Sequence, residues 1–238
     1  MSVVLKKVST PRTRRETVQT KMAANDNNLK PSGRYSGDRW NSEVEPEGDY
    51  ERRRFERTKQ GQEKNRREQD MVRRFLRRLP KGSKVLDVPA GMGRFTELIL
   101  ESGHNPVSVD LNFGRIAEAY QRLEKPVPAI QGDVTQLPFS DQSVDAALCF
   151  RLLHHLTPEM ISKVLRELRR VAPRAFVTFY SCHTFKFYKK RLRGKPVSGQ
   201  YYQPRQIIKW SRAADWSRCK HESPLAFFEI LHSLDLQK

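Results

Sequence analysis

From about residue 68 onward the chain alternates short apolar runs with amphipathic stretches, and this alternation predicts its elements. Residues 85–88, 107–110, 127–130, 143–150 and 175–180 are apolar, β-branched or bounded by turn residues, which predicts five strands. A helix is expected to begin over 96–100, and another runs from Pro158 to Val171. Strands that alternate with helices in this way predict a parallel sheet covered on both faces. Upstream, Met71, Val72, Phe75, Leu76 and Leu79 follow the i, i+1, i+4, i+5, i+8 stripe of a helix that packs on the sheet. Downstream, Pro204 suits the first turn of a helix carrying Ile207, Trp210 and Ala214. Residues 216–221 and 225–234 then predict the last two strands.

The most informative join lies between the first two strands. Asp87-Val88-Pro89-Ala90-Gly91-Met92-Gly93-Arg94 follows the first strand, and the second ends in Asp110. Gly91 and Gly93 allow a sharp turn into a helix N-terminus with no side chain in a ligand's way. An acid about twenty residues further on suits hydrogen bonds from a ribose diol. The position where a dinucleotide site wants a third glycine is Thr96, and Asp87 would face a pyrophosphate unfavourably. A cationic ligand with a ribose fits better, and S-adenosylmethionine carries both an ammonium and a sulfonium.

Three further segments follow in order: Asp133-Val134-Thr135-Gln136-Leu137-Pro138-Phe139, Val144-Asp145, and Leu153-His154-His155. With Leu86-Asp87-Val88-Pro89-Ala90-Gly91-Met92-Gly93-Arg94, they resemble the class I S-adenosylmethionine-dependent methyltransferases, in particular the small type 11-like domain. The resemblance covers residues 85 to about 180. It implies a Rossmann-like three-layer α/β sandwich with a seven-stranded, mostly parallel sheet. It also implies that Asp87, Pro89, Gly91, Gly93, Asp110, Leu111, Asp133, Val134 and Arg151 surround S-adenosyl-L-methionine. Pro89 departs from the family's first glycine and has no N–H to donate, although its carbonyl remains. Val171-Ala172-Pro173-Arg174-Ala175 replaces the family's Pro-Gly-Gly turn, so an altered entry into the next strand is expected.

Methyl transfer from a sulfonium needs orientation and exclusion of water more than a fixed acid–base signature. Arg151 and His154 follow the fourth strand and are the candidate catalytic residues. His154 is placed as the general base, since a neutral imidazole takes a proton near neutral pH. His155 is read as a loop or capping residue. Tyr180 and His183, at the end of the fifth strand, are weaker candidates.

Composition adds boundaries. Residues 1–48 are polar and poor in aliphatics, and are expected to be a disordered basic tail. Residues 49–80 are expected to form a helical lid and lead-in helix, with Tyr50 and Phe55 candidates for covering the donor, and 81–238 the methyltransferase domain. The three cysteines, Cys149, Cys182 and Cys219, have no metal-like spacing, and a cytoplasmic location is expected, with the inner membrane face left open for peripheral contact. No metal site is predicted, and no run is long enough for a membrane span.

The formal net charge is +18, and between Lys163 and Arg212 the only acid is Glu167. A basic insertion at about 183–203 includes Thr184-Phe185-Lys186-Phe187-Tyr188-Lys189-Lys190-Arg191-Leu192-Arg193, which as a helix would show one aromatic stripe ringed by cations. It begins at the carboxyl edge of the sheet, where open α/β folds hold ligands. An anionic small-molecule, lipid or saccharide acceptor is therefore expected. RNA is the alternative acceptor, and a non-catalytic S-adenosylmethionine-binding partner protein is the second alternative. No separate RNA-binding module is recognisable, and Cys149-Phe150-Arg151-Leu152 stands where a base-amine methyltransferase would carry an Asn-Pro-Pro-Tyr-like motif.

Overall fold

The computed structural model describes residues 55, 57–112, 114, 120, 126–181, 192–193, 201–222 and 231–237. The expected tail over 1–48, Tyr50, Cys182, His183 and most of the basic insertion lie outside the described residues.

Helix α1 (Lys59–Leu76) starts where extended Thr58 accepts the Gly61 N–H on its side chain at 3.0 Å. It begins well before the predicted stripe and ends three residues before Leu79, which is still buried in the turn that follows. Strand β1 (Lys84–Asp87), helix α2 (Arg94–Glu101), strand β2 (Asn105–Asp110) and strand β3 (Ala129–Gln131) follow. Next come β4 (Ala146–Cys149), a single 3-10 turn (Leu153–His155), helix α3 (Pro158–Val171) and β5 (Arg174–Ser181). The chain continues through β6 (Tyr201–Tyr202), helix α4 (Pro204–Ala213), β7 (Arg218–Glu222) and β8 (Leu231–Gln237).

The sheet runs β3-β2-β1-β4-β5-β8-β7. Every pairing on this path is parallel except those of β8, which lies antiparallel to both β5 and β7. Seven strands match the expectation, and β6 adds an eighth. Its reason is length: β4 covers β5 only as far as Val177, so the same edge at Tyr180 and Ser181 is left for Tyr201 and Tyr202. The last strand is described over Leu231–Gln237, and residues 225–230 of its expected range lie outside the described residues.

The alternation of a strand assigns the two covering layers. Val85, Ala146, Leu148 and Phe176 point to one side and pack with Met71, Val72, Phe75 and Leu76 of α1 and Phe95, Leu98 and Ile99 of α2. Leu86, Ala147, Cys149 and Val177 point to the other and meet Ile161, Val164, Leu165 and Leu168 of α3. Trp216, fully buried there, donates its indole N–H to the Leu165 carbonyl at 3.0 Å. Helix α3 has the bounds its sequence predicted, because Thr157 caps it, Pro158 opens it, and extended Ala172 ends it. Only Ala172 and Pro173 separate it from β5. From β1 the order grows outward through β2 on one side and β4 on the other, so the crevice above β1 and β4 is a topological switch point.

Candidate active site

The turn after β1 is built on left-handed glycines. Gly91 has φ 53° and Gly93 φ 75°, conformations that side chains rarely tolerate. A Cβ at Gly91 would meet nothing within 4 Å, so its requirement is the backbone angle, and open space lies over the turn. Gly93 caps α2 without a side-chain bond, leaving the helix's first turn to end in bare peptide. The Val88–Pro89 peptide is cis. Pro89 is half-buried, while Ala90 ties the turn down by donating to the Val109 carbonyl at 2.9 Å.

Asp110 closes the other side. Its Oδ2 accepts the Gly91 N–H at 2.8 Å and its Oδ1 the Asn112 N–H at 2.9 Å. The acid at the end of β2 therefore fixes the glycine turn as well as standing beside it. A carboxylate offers about four acceptor positions, so these bonds and a ribose diol are compatible. Next to it Leu111 is 44% exposed, one of two large apolar side chains in that state among the described residues. Asp133 accepts from both the backbone N–H and the hydroxyl of Thr135, at 2.8 and 2.9 Å, and Val134 is buried beside it.

Asp87 is not at the surface of this crevice. It is buried and accepts the Thr96 hydroxyl at 2.7 Å, while Thr96 also meets the Ser108 hydroxyl at 2.9 Å. Burial pushes the Asp87 carboxyl up to about 7, opposed by the Thr96 hydrogen bond. The geometry displays Asp87, expected among the residues around the donor, holding the start of α2 through Thr96. Thr96 occupies the third-glycine position because its hydroxyl joins β1 to β2 beneath the helix.

On the far side of the switch point, Arg151 follows β4 with φ 60° and donates its N–H to the Thr178 hydroxyl at 2.7 Å. Its guanidinium forms an ion pair with Glu68 of α1, which also holds Arg94 at 2.8 Å. Burial alone would raise Glu68, but Arg151 and Arg94 outweigh it and keep the carboxyl below its ordinary range. Phe55, buried, lies against both cations, 4.4 Å from Arg94 and 5.8 Å from Arg151. Sequence reasoning missed Glu68. Its signal was an acid four residues before Val72 and seven before Phe75, on the apolar stripe itself, where a charge demands a partner.

His154 sits on the 3-10 turn, 3% exposed, with its ring stacked on Tyr180 at 3.7 Å and 19°. His155 is 3.9 Å away by centroid, and Tyr180 continues to Tyr201 at 5.4 Å. The structure thus brings His154, Tyr180 and Arg151 to the same edge, along the carboxyl ends of β4 and β5. Tyr202 turns inward instead, donating its hydroxyl to the Leu156 carbonyl at 2.7 Å. Among the described residues no cluster of His, Cys, Asp and Glu could hold a metal ion.

Comparison with known proteins agrees with this geometry. The family described as "Methyltransferase domain" matches residues 85–174. Among curated relatives, the demethylmenaquinone methyltransferase of Paenarthrobacter aurescens (strain TC1) is 36% identical over 91 residues, 38% of this chain and 34% of the relative. That of Mycobacterium sp. (strain JLS) is 28% identical over 176 residues, 64% of this chain and 75% of the relative. For the relative from Beutenbergia cavernae, likewise a demethylmenaquinone methyltransferase, the match spans only 37% of its length at 34% identity. Among solved structures, magnesium protoporphyrin IX methyltransferase from Synechocystis PCC 6803 with bound SAH superposes with a TM-score of 0.65 at 17% identity, over 80% of this chain and 94% of that one. A SAM-dependent methyltransferase from Archaeoglobus fulgidus gives 0.60 at 15% identity, over 82% of this chain and all of the other. At such identities the shared property is the fold. Residues 85–174 thus match a methyltransferase-domain family model, and the sheet order around the glycine turn is the fold of these solved methyltransferases.

Proposed function

We propose that the chain transfers a methyl group from S-adenosylmethionine to a small-molecule acceptor with an electron-rich aromatic ring. The observation that carries the acceptor class is the run of rings His154, Tyr180 and Tyr201 at the carboxyl edge of β4, β5 and β6. Stacked and tilted rings of this kind add about 0.5–1.5 kcal/mol per aromatic contact beyond burial, which suits a flat ligand. Support also comes from the relatives, whose names specify a demethylated menaquinone as acceptor. The chain's formal net charge of +18 favours the ionised form of an acidic ring hydroxyl.

The glycine turn supports a place for the donor over β1. Gly91 and Gly93 leave room for the donor's backbone-facing side, Asp110 accepts from a ribose, Leu111 covers an apolar ring, and Asp133 with Val134 borders the adenine end. When bound, S-adenosylmethionine supplies an electrophilic methyl group. The chain's own task is then alignment: the β1 turn fixes one reactant and the β4–β5 edge the other. His154 is in reach of that edge and takes the proton from the acceptor, while Arg151 holds the edge's shape through Thr178 and Glu68.

The test is transfer of labelled methyl from S-adenosylmethionine by the full chain into separate arms: a prenylated quinol, simple phenols, anionic lipids and saccharides, and RNA. Label in the quinol or phenol arms is expected. Label confined to RNA, or to lipid or saccharide, contradicts the acceptor class, and no transfer in any arm contradicts the activity.

A further inference from the structure

The donor half and the acceptor half of this site come from different strands, and one carboxylate joins them. Glu68 reaches Arg94 with Oε2 at 2.8 Å and grips Arg151 with both oxygens, the Nε contact being 3.4 Å. Arg94 is the residue directly after Gly93 and opens α2. Arg151 is two residues past β4, pinned at its own backbone by Thr178. One turn earlier on α1, Asn65 accepts a second N–H of Arg94 at 2.8 Å. Glu68 is 1% exposed, and the two arginine side chains only 12% and 15%.

We infer that Glu68 is a positioning residue for methyl transfer, setting the separation between the donor turn and the acceptor edge through its two arginines. The inference rests on the reading of the Gly91–Gly93 turn as the donor site. Two guanidiniums this shielded from water repel each other unless a carboxylate stands between them. Removing the charge leaves two like charges without their shared partner, and because Arg94 directly follows Gly93, the loss of its anchors falls on the side chain that ties the donor turn to α1. Helix α1 therefore does more than cover one face of the sheet: its docking brings the donor turn and the end of β4 into register. Phe55, against both arginines, places the segment before α1 on the same assembly.

The test compares Glu68→Gln, which keeps the volume and loses the charge, with Val72→Ala, which loosens the buried apolar packing of α1 and removes no charge or hydrogen bond. Binding of SAH to the full chain is measured by calorimetry, with circular dichroism and thermal melting on the same samples. Glu68→Gln is expected to raise the SAH Kd about tenfold or more while the helical spectrum is kept. Val72→Ala is expected to lower the melting temperature and leave the Kd unchanged. Equal Kd for Glu68→Gln and wild type overturns the inference, as does a Val72→Ala variant that loses affinity as much as Glu68→Gln. A wild-type chain that takes up no SAH overturns the donor-site reading itself, and the inference with it.

Discussion

Asp87 and Thr96 show how much a single buried pair can govern. With a folded pKa of about 7 against an ordinary 3.8, Asp87 holds a proton in the folded state that the unfolded chain has released. Its contribution to stability is therefore complete below about pH 4 and falls progressively as pH rises toward 7. Glu68 and Glu167 work in the opposite sense, since their lowered carboxyls favour folding above their usual range and lose that effect in acid. Comparing wild type with Asp87→Asn removes these shared contributions. The melting temperature of the wild type is expected to fall relative to Asp87→Asn between pH 4 and 7, and parallel curves would contradict the assignment. Thr96→Val leaves Asp87 and Ser108 without their shared hydroxyl and is expected to cost about 1–3 kcal/mol in denaturant unfolding. At the opposite edge, His154→Asn is expected to lower kcat about a hundredfold or more, and His155→Asn to change it little, as read by initial rates. Equal losses would reassign the base.

At the level of elements, the 14-residue connection between β3 and β4 is anchored by α3. Arg170 donates to the carbonyls of Phe139 and Leu137 at 2.6 and 3.0 Å and pairs with Asp141 and Glu167, while Glu167 accepts the Leu137 N–H at 2.9 Å. This clamp fixes the Leu137-Pro138-Phe139 segment that follows Asp133. Because Arg170 is about a third exposed, Arg170→Ala is expected to cost only about 1–2 kcal/mol globally, yet to speed amide exchange in the 136–141 loop selectively. Uniform faster exchange across α3 would contradict a local clamp. The same segment marks the reach of sequence reading. Periodicity and caps sufficed for α3, whose Thr157-Pro158 start and apolar stripe agree with each other, and for β1, β2 and β5, which are buried on both faces. They fell short where tertiary pairing decides: β6 exists only because β5 outruns β4, and α1 extends into a stretch too charged to show a stripe. The acid on the apolar stripe signals that Glu68 needs a partner, but not which one, since Arg94 and Arg151 lie 26 and 83 positions away; the Phe139 and Leu137 carbonyls held by Arg170 lie 31 and 33 away.

For the whole molecule, the sheet order gathers the residues of the proposed site at one end. The glycine turn, Asp110 and Asp133 come from β1, β2 and the residues after β3, and the rings and Arg151 from the ends of β4, β5 and β6. The proposed site's place at that end was legible because four motifs followed the predicted strands in order, whereas the contacts of Glu68 with Arg94 and Arg151 needed the fold. No helix among the described residues is long and apolar enough to cross a membrane. The central claim is that the crevice above β1 holds an adenosyl donor, and titration calorimetry of SAH into the full chain tests it most directly. The account predicts one SAH per chain, with Asp110→Ala weakening it about tenfold or more and NAD giving no heat. Absence of SAH binding by the wild type, or tighter binding of NAD than of SAH, would contradict it.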